Sequence, residues 1–175
     1  LEWQRMVAWA LILAAALPAA EAPGVEVSLT GSPGLLAVQL AVQREVPPEW
    51  SRALIGVAPV SITYRLRLFR NRRWLWDRRL ASHELVVEAQ RDPLTGVFTL
   101  IARQDGEVLA SGHAATVEEA IRWVTHPPPA AVPVPLRHDP LWLVVRAEYL
   151  TKYKLLVIPS TVGTEWVTRA VPESP

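Results

Sequence analysis

Hydrophobic and polar residues alternate along much of this chain, most clearly between Val60 and Gln90. Ile62, Tyr64, Leu66 and Leu68 hold one parity there, and Thr63, Arg65 and Arg67 hold the other. Successive side chains of a strand point to opposite faces, so this period of two predicts a half-buried strand. The run Arg70-Asn71-Arg72-Arg73 interrupts it. Trp74 and Trp76 resume the alternation, and Leu85 to Val87 continues an extended segment. The pattern predicts a long antiparallel hairpin with arginines and tryptophans at its tip.

Shorter runs repeat the theme. Val25, Val27 and Leu29 alternate with Glu26 and Ser28; after the turn cluster Gly31-Ser32-Pro33-Gly34, Leu36, Val38, Leu40 and Val42 do the same. Pro47-Pro48-Glu49-Trp50 reads as a helix start. Trp50, Leu54 and Ile55 lie at helical spacing, and Gly56 marks the end. Asp92-Pro93-Leu94-Thr95-Gly96 is a turn, followed by a strand over Val97–Ala102. The Asp105-Gly106 pair predicts a second hairpin, returning as a strand over Val108–Ser111.

Thr116-Val117-Glu118-Glu119 is a capping box, in which Thr116 accepts from a backbone N–H and Glu119 reaches back to the Thr116 N–H. Val117, Ala120, Ile121 and Val124 share one face, so a short amphipathic helix is expected over Thr116–Thr125. Pro127-Pro128-Pro129 stops it, and the stretch to Pro135 reads as an extended crossover within one domain. A strand is expected over Leu141–Leu150. Leu155 to Ile158 is apolar, and Thr161–Thr168, which carries Trp166, has no clear pattern. Six to eight strands joined by short turns must be antiparallel neighbours, since parallel pairs need long crossovers. The expected fold is mainly β: an antiparallel sheet or a two-sheet β-sandwich, with two short helices at an end or edge.

The N-terminus departs from this pattern. Arg5 precedes an apolar run, Met6–Leu17, and the small residues that follow include Ala20-Glu21-Ala22, an A-x-A cleavage pattern with Pro23 behind it. The run is shorter than the roughly 20 residues a bilayer-spanning helix needs. Residues 1–22 are therefore expected to be a signal peptide or an N-terminal anchor, with one mainly-β domain over 23–175. The expected location is periplasmic or otherwise extracytoplasmic, with residues 6–20 as the anchor if the leader is retained.

Composition narrows the chemistry. Half the residues are apolar, 20% are charged, and the formal net charge is +1, so no overall polyelectrolyte character points to nucleic acid. The chain has no cysteine, which removes disulfides, thiolate metal sites and cysteine nucleophiles. Charge is nonetheless uneven: Arg65, Arg67, Arg70, Arg72, Arg73, Arg78 and Arg79 share one window with a single acid, Asp77.

The order of these pieces resembles the bacterial domain of unknown function (DUF) 4390 family. The matching segments are Pro-Pro-Glu-Trp at 47–50, Ile62-Thr63-Tyr64, Arg72-Arg73-Trp74-Leu75-Trp76-Asp77, Arg91-Asp92-Pro93-Leu94-Thr95, Val117-Glu118-Glu119-Ala120, Leu143 to Ala147 and Glu165-Trp166-Val167. The Arg-Arg-Trp-Leu-Trp-Asp and Asp-Pro-Leu-Thr segments are the most specific. The resemblance covers about Gly34 to Thr168, and the long proline run before the late strand departs from it. It implies a small exported bacterial protein with no established activity, cofactor or catalytic residue. Family members are often encoded near membrane sensor kinases, which points toward envelope signalling.

Catalytic and metal motifs are not evident. His83, His113, His126 and His138 form no H-x-x-x-H or H-E-x-x-H spacing, and the neighbours His83 and Glu84 point to opposite faces of a strand. Ser111-Gly112-His113 lacks the nucleophile elbow, there is no glycine-rich phosphate loop, and Glu118-Glu119 serves a helix start. The suggestive feature is the hairpin tip: Arg70, Arg72, Arg73, Trp74, Trp76, Arg78 and Arg79. Guanidinium groups grip carboxylate or phosphate, and indoles anchor interfaces. The competing reading is cross-strand packing under arginine stems.

The expectation is an exported, non-enzymatic module that binds an envelope protein through this tip or through an exposed sheet edge. One alternative is a peripheral module on anionic membrane, held by a retained leader. Another is a hydrolase whose residues converge only in the fold. No cofactor, metal or nucleic acid is expected.

Overall fold

A computed structural model of the protein describes residues 24–43, 46–70, 78–135, 140–154 and 158–172, with backbone alone for 150–154 and 158–162. The leader at 1–22 lies outside these residues. The described chain is mainly β. Its strands are β1 (Val25–Ser32), β2 (Leu35–Val42), β3 (Val60–Arg70), β4 (Arg78–Arg91), β5 (Phe98–Gln104), β6 (Glu107–Ala114), β7 (Ala130–Pro133), β8 (Leu141–Lys154), β9 (Ile158–Gly163) and β10 (Val167–Ala170). Helix α1 (Pro48–Ile55) separates β2 from β3, and α2 (Val117–Thr125) separates β6 from β7.

Two antiparallel sheets form. A three-stranded sheet runs β1-β2-β7; a seven-stranded sheet runs β10-β8-β3-β4-β5-β6, with β9 also paired to β8. The expected sandwich is therefore the observed architecture, with two strands more than the upper expectation. Strand β7 lies in the proline-rich stretch read as a crossover. It pairs with β2 from Leu35↔Pro133 to Val38↔Ala130, at the sheet's edge, where a proline without an N–H is tolerated. Strands β9 and β10 occupy the segment that shows no alternation.

Alternation places the core as the pattern requires. Ile62, Tyr64, Leu66 and Leu68 of β3 are buried, with Leu85 and Val87 of β4 and Leu143, Val145 and Ala147 of β8 beside them. Leu36, Val38 and Leu40 of β2 and Val132 of β7 close the core from the smaller sheet. Each buried Val, Leu or Ile side chain among these contributes about 1.5–3 kcal/mol relative to exposure. The helices fill the remaining gaps. Trp50 of α1 meets Tyr149 edge-on, ring centroids 5.5 Å apart, and Leu54 is fully buried.

Tyr64 joins sheet to helix. Its ring is fully buried, and its hydroxyl donates to the Val124 carbonyl at 2.8 Å, with the Thr125 carbonyl at 3.4 Å. Those carbonyls belong to the last turn of α2, where helix acceptors lack partners of their own. Burial holds the phenol's proton far more tightly than in water. At the other end of α2 the capping box differs slightly from expectation. The Glu119 N–H donates to Thr116 Oγ1 at 3.2 Å, but the Glu119 carboxylate accepts from the Ala115 N–H, at 3.0 Å, one residue before the cap.

Helix α1 ends in an unusual way. The Ala58 N–H returns to the Ala53 carbonyl at 2.8 Å and the Val57 N–H to that of Leu54 at 3.2 Å, a pairing that needs one left-handed residue. That residue is Val57, at φ 67°, although Gly56 stands next to it at φ −79°. A β-branched residue in this region is strained by about 1–2 kcal/mol. Replacing Val57 with Gly is expected to raise the free energy of unfolding by about 0.5–1 kcal/mol in urea titration, the gain being reduced by glycine's greater unfolded-state entropy.

Candidate functional site

The outer face of the seven-stranded sheet carries a ladder of charges rather than a polar scatter. Residues of β3 that alternate with the core, Arg65 and Arg67, point outward beside Arg146 and Glu148 of β8 and Glu84 of β4. Arg65 Nε donates to Glu148 Oε2 at 2.8 Å, and its Nη1 lies 3.6 Å from Glu84 Oε2. The hydrogen bond that Arg65 donates to Glu148, then the charge of Glu148, strengthens the guanidinium's hold on its proton. Arg146 Nε lies 3.6 Å from the other Glu148 oxygen. Exposed pairs of this kind contribute about 0–1 kcal/mol each, so their main effect is to fix positions.

Trp166 covers part of this ladder. The Arg67 guanidinium sits 4.5 Å from the centroid of its ring, and that of Arg146 sits 5.8 Å away. The segment before Trp166 is held tightly. The Thr164 hydroxyl accepts from the Ala147 N–H and the Thr164 N–H donates to the Ala147 carbonyl, at 3.0 and 2.8 Å. Gly163 opposes Glu148 across β8 and β9, and the Arg146 guanidinium occupies the space where any other residue would place its Cβ.

The hairpin tip is only partly in view. Arg72, Arg73, Trp74 and Trp76 lie outside the described residues. At its base Arg70 pairs across the strands with Arg78, and Phe69 with Arg79; Arg78 and Arg79 are exposed and Arg70 is half-buried. The outward arginines Arg65 and Arg67 lie further down the same strand. Pattern reading placed both on the solvent face, but nothing local linked them to Trp166, which is far away in sequence.

The remaining singled-out groups serve turns. His83 Nδ1 is 2.7 Å from Asp105 Oδ2, and the other Asp105 oxygen accepts from the Glu84 N–H at 2.8 Å. Burial opposes ionisation of Asp105, but these bonds outweigh it and hold its carboxyl below the usual range. Asp105 and Gly106 both have positive φ, 52° and 89°, as an Asp-Gly hairpin requires. His113 is exposed on β6, and the exposed His126 lies beside the Thr125 hydroxyl. His138 lies outside the described residues. Among the described residues no three of His, Asp and Glu gather as metal ligands would.

Another edge of the large sheet stands open. Strand β6 pairs only with β5 among the described residues, and Val108 and Leu109 on it are 63% and 39% exposed. The register shifts between Ala102 and Arg103, so Leu109 is the extra residue of a bulge.

The Asp92 turn is rigid by construction. Asp92 Oδ1 accepts from the Leu94 N–H at 2.8 Å and faces that of Thr95 at 3.4 Å, while Gly96 takes φ +75°. The Leu94 bond is the main cause of a lowered Asp92 pKa.

Two outcomes follow from these contacts. Gly163→Ala should push the Arg146 guanidinium aside, costing about 0.5–1 kcal/mol in urea unfolding. Adding Arg146→Ala to that variant should then cost little more. Asp92→Asn keeps an acceptor but not the charge. Because the folded pKa is depressed, the charge's contribution is whole above the ordinary carboxylate range and fades as pH falls through the folded value. Wild type should therefore exceed Asp92→Asn in urea midpoint at neutral pH, and the gap should close in acid.

No curated protein and no solved structure matches the chain. The family model described as "Domain of unknown function (DUF4390)" matches residues 21–140, which span β1 to β7 and both helices. The match takes in the β3–β4 hairpin and the Asp92 turn, and the chain belongs to the DUF4390 family.

Proposed function

We propose that this protein is an exported, non-enzymatic protein-binding module of the bacterial envelope that receives an extended segment of its partner along β6. The observation that carries this is the open β6 edge, with its exposed Val108 and Leu109. An unpaired edge offers a row of backbone donors and acceptors to an incoming strand, and alternate side chains supply the specificity. Proteins usually blunt such edges with lysine, proline or a short strand. Strand β6, Glu107-Val108-Leu109-Ala110-Ser111-Gly112-His113-Ala114, has eight residues with neither lysine nor proline. The other edges are less inviting. Strand β7 is four residues long and ends on Pro133, the edge beyond β8 is split between the four-residue β10 and β9, which carries Pro159, and β1 exposes Glu26, Ser28 and Thr30.

Export is supported by Arg5, the apolar run Met6–Leu17 and the small residues behind it. Among the described residues no helix is long and apolar enough to cross a membrane. The non-enzymatic reading is supported by how the charged groups are used: Asp92 and Asp105 hold turns, and Glu84 and Glu148 neutralise arginines.

The test is affinity isolation from the envelope fraction with wild type and with Val108→Lys/Leu109→Lys, two changes at exposed positions. A partner that wild type retains and the variant binds at least about tenfold more weakly, at equal thermal stability, is the expected result. Equal retention by both proteins overturns the assignment to β6.

A further inference from the structure

We propose that Arg67 and Trp166 form a site for a carboxylate carried on an apolar group, such as the last residue of a peptide, on the outer face of the seven-stranded sheet. The guanidinium of Arg67 lies over the Trp166 ring at 4.5 Å. Stacking uses the flat face of a guanidinium. Its N–H donors lie in the plane and remain directed at the edge, in the fork that fits a carboxylate.

Charge accounting leaves that fork unsatisfied. Glu148 is shared by Arg65 and Arg146, and Glu84 is engaged by Arg65. Among the described residues no carboxylate lies within ion-pair distance of Arg67. None of its nitrogens is among the buried atoms lacking a partner, so each reaches solvent. The donors are therefore both unpaired and accessible, while the ring beneath them is held by the Thr164 bonds to β8.

The surroundings select the ligand. Val144 is the cross-strand neighbour of Arg67, and Phe69 faces Trp142 at the next outward position. All three are half-buried on the same face, an apolar shoulder beside the Arg67 guanidinium. Arg65, Arg67 and Arg146 against Glu84 and Glu148 leave a net charge of +1, which one negative charge neutralises and a second overcompensates. A singly charged carboxylate on an aliphatic or peptide body fits this surface better than a phosphate dianion. The site lies three strands from β6 in the sheet order, so it stands or falls independently of the edge.

The experiment follows the indole N–H resonance of Trp166, assigned by its loss in Trp166→Phe, in the full chain at constant ionic strength. Acetate, hexanoate and inorganic phosphate are titrated separately. The expected result is a saturable shift with hexanoate, weaker binding of acetate, and loss of at least about tenfold in affinity for both in Arg67→Gln. Arg67→Lys keeps the charge without the fork and should bind several-fold more weakly than wild type, so it replaces Arg67→Gln if that variant does not fold. Equal, unsaturable shifts with all three anions would mean an adventitious ion only and overturn the site. Saturable binding that survives Arg67→Gln overturns the role of Arg67, and phosphate binding as tightly as hexanoate overturns the ligand class.

Discussion

One buried hydroxyl organises the closure of this sandwich. Tyr64 lies in the middle of β3, flanked across the strands by Ala147 and Leu85, and donates into the last turn of α2. A phenol fully removed from water needs a partner, and losing one costs about 1–3 kcal/mol. The carbonyls at a helix end need donors for the same reason. The two requirements meet in one bond. It sets where α2 stops, and so where the chain must leave for the smaller sheet. From there Gln39 Nε2 donates to the Pro127 carbonyl at 3.1 Å, and the Gln104 amide brackets both backbone groups of Ala131. Side-chain amides from both sheets thus hold the proline-rich stretch while β7 pairs with β2. The segment that cannot supply a full set of N–H donors is secured by groups from elsewhere.

The two faces of β3 follow different physics. Inward, apolar side chains interlock and any change of volume is felt. Outward, the same strand carries Thr63, Arg65 and Arg67, whose positions are set by charge and stacking. This outer face has an internal constraint. Arg146 can lie against β9 only because Gly163 has no side chain, and Trp166 can lie over Arg67 only because Thr164 ties its segment to β8.

Much of this fold was legible from residue order, and the reasons are specific. Strands β2, β3 and β8 have a buried and a solvent face, so their side chains alternate. The Asp105-Gly106 turn and the Thr116 cap are local chemistry, readable within a few residues. Strand β7 was hidden because prolines argue against a strand, and only its edge position reconciles the two. Strands β9 and β10 were hidden because their pairing with β8 is dictated by that partner rather than by alternation of their own. Val57 was hidden because the neighbouring glycine is the residue that ordinarily takes the left-handed position. The candidate site was half visible. The outward parity of Arg67 was plain, but its contact with Trp166 is purely tertiary.

The two edges of the large sheet are made differently. Along β8 the chain folds back twice, as β9 and β10, and covers the edge of the strand that pairs with the most buried part of β3. Among the described residues no segment does this for β6: the chain after β6 turns into α2 and crosses to the other sheet, and it returns to the large sheet beside β3. The bulge at Leu109 partly compensates, since an extra residue increases local twist and disturbs the row of backbone groups a neighbour would meet. It does so while leaving Val108 and Leu109 in solvent, where burial by an added strand would be favourable. Twist at this edge therefore discourages indiscriminate pairing, and the exposed side chains favour a partner whose own strand accommodates the bulge.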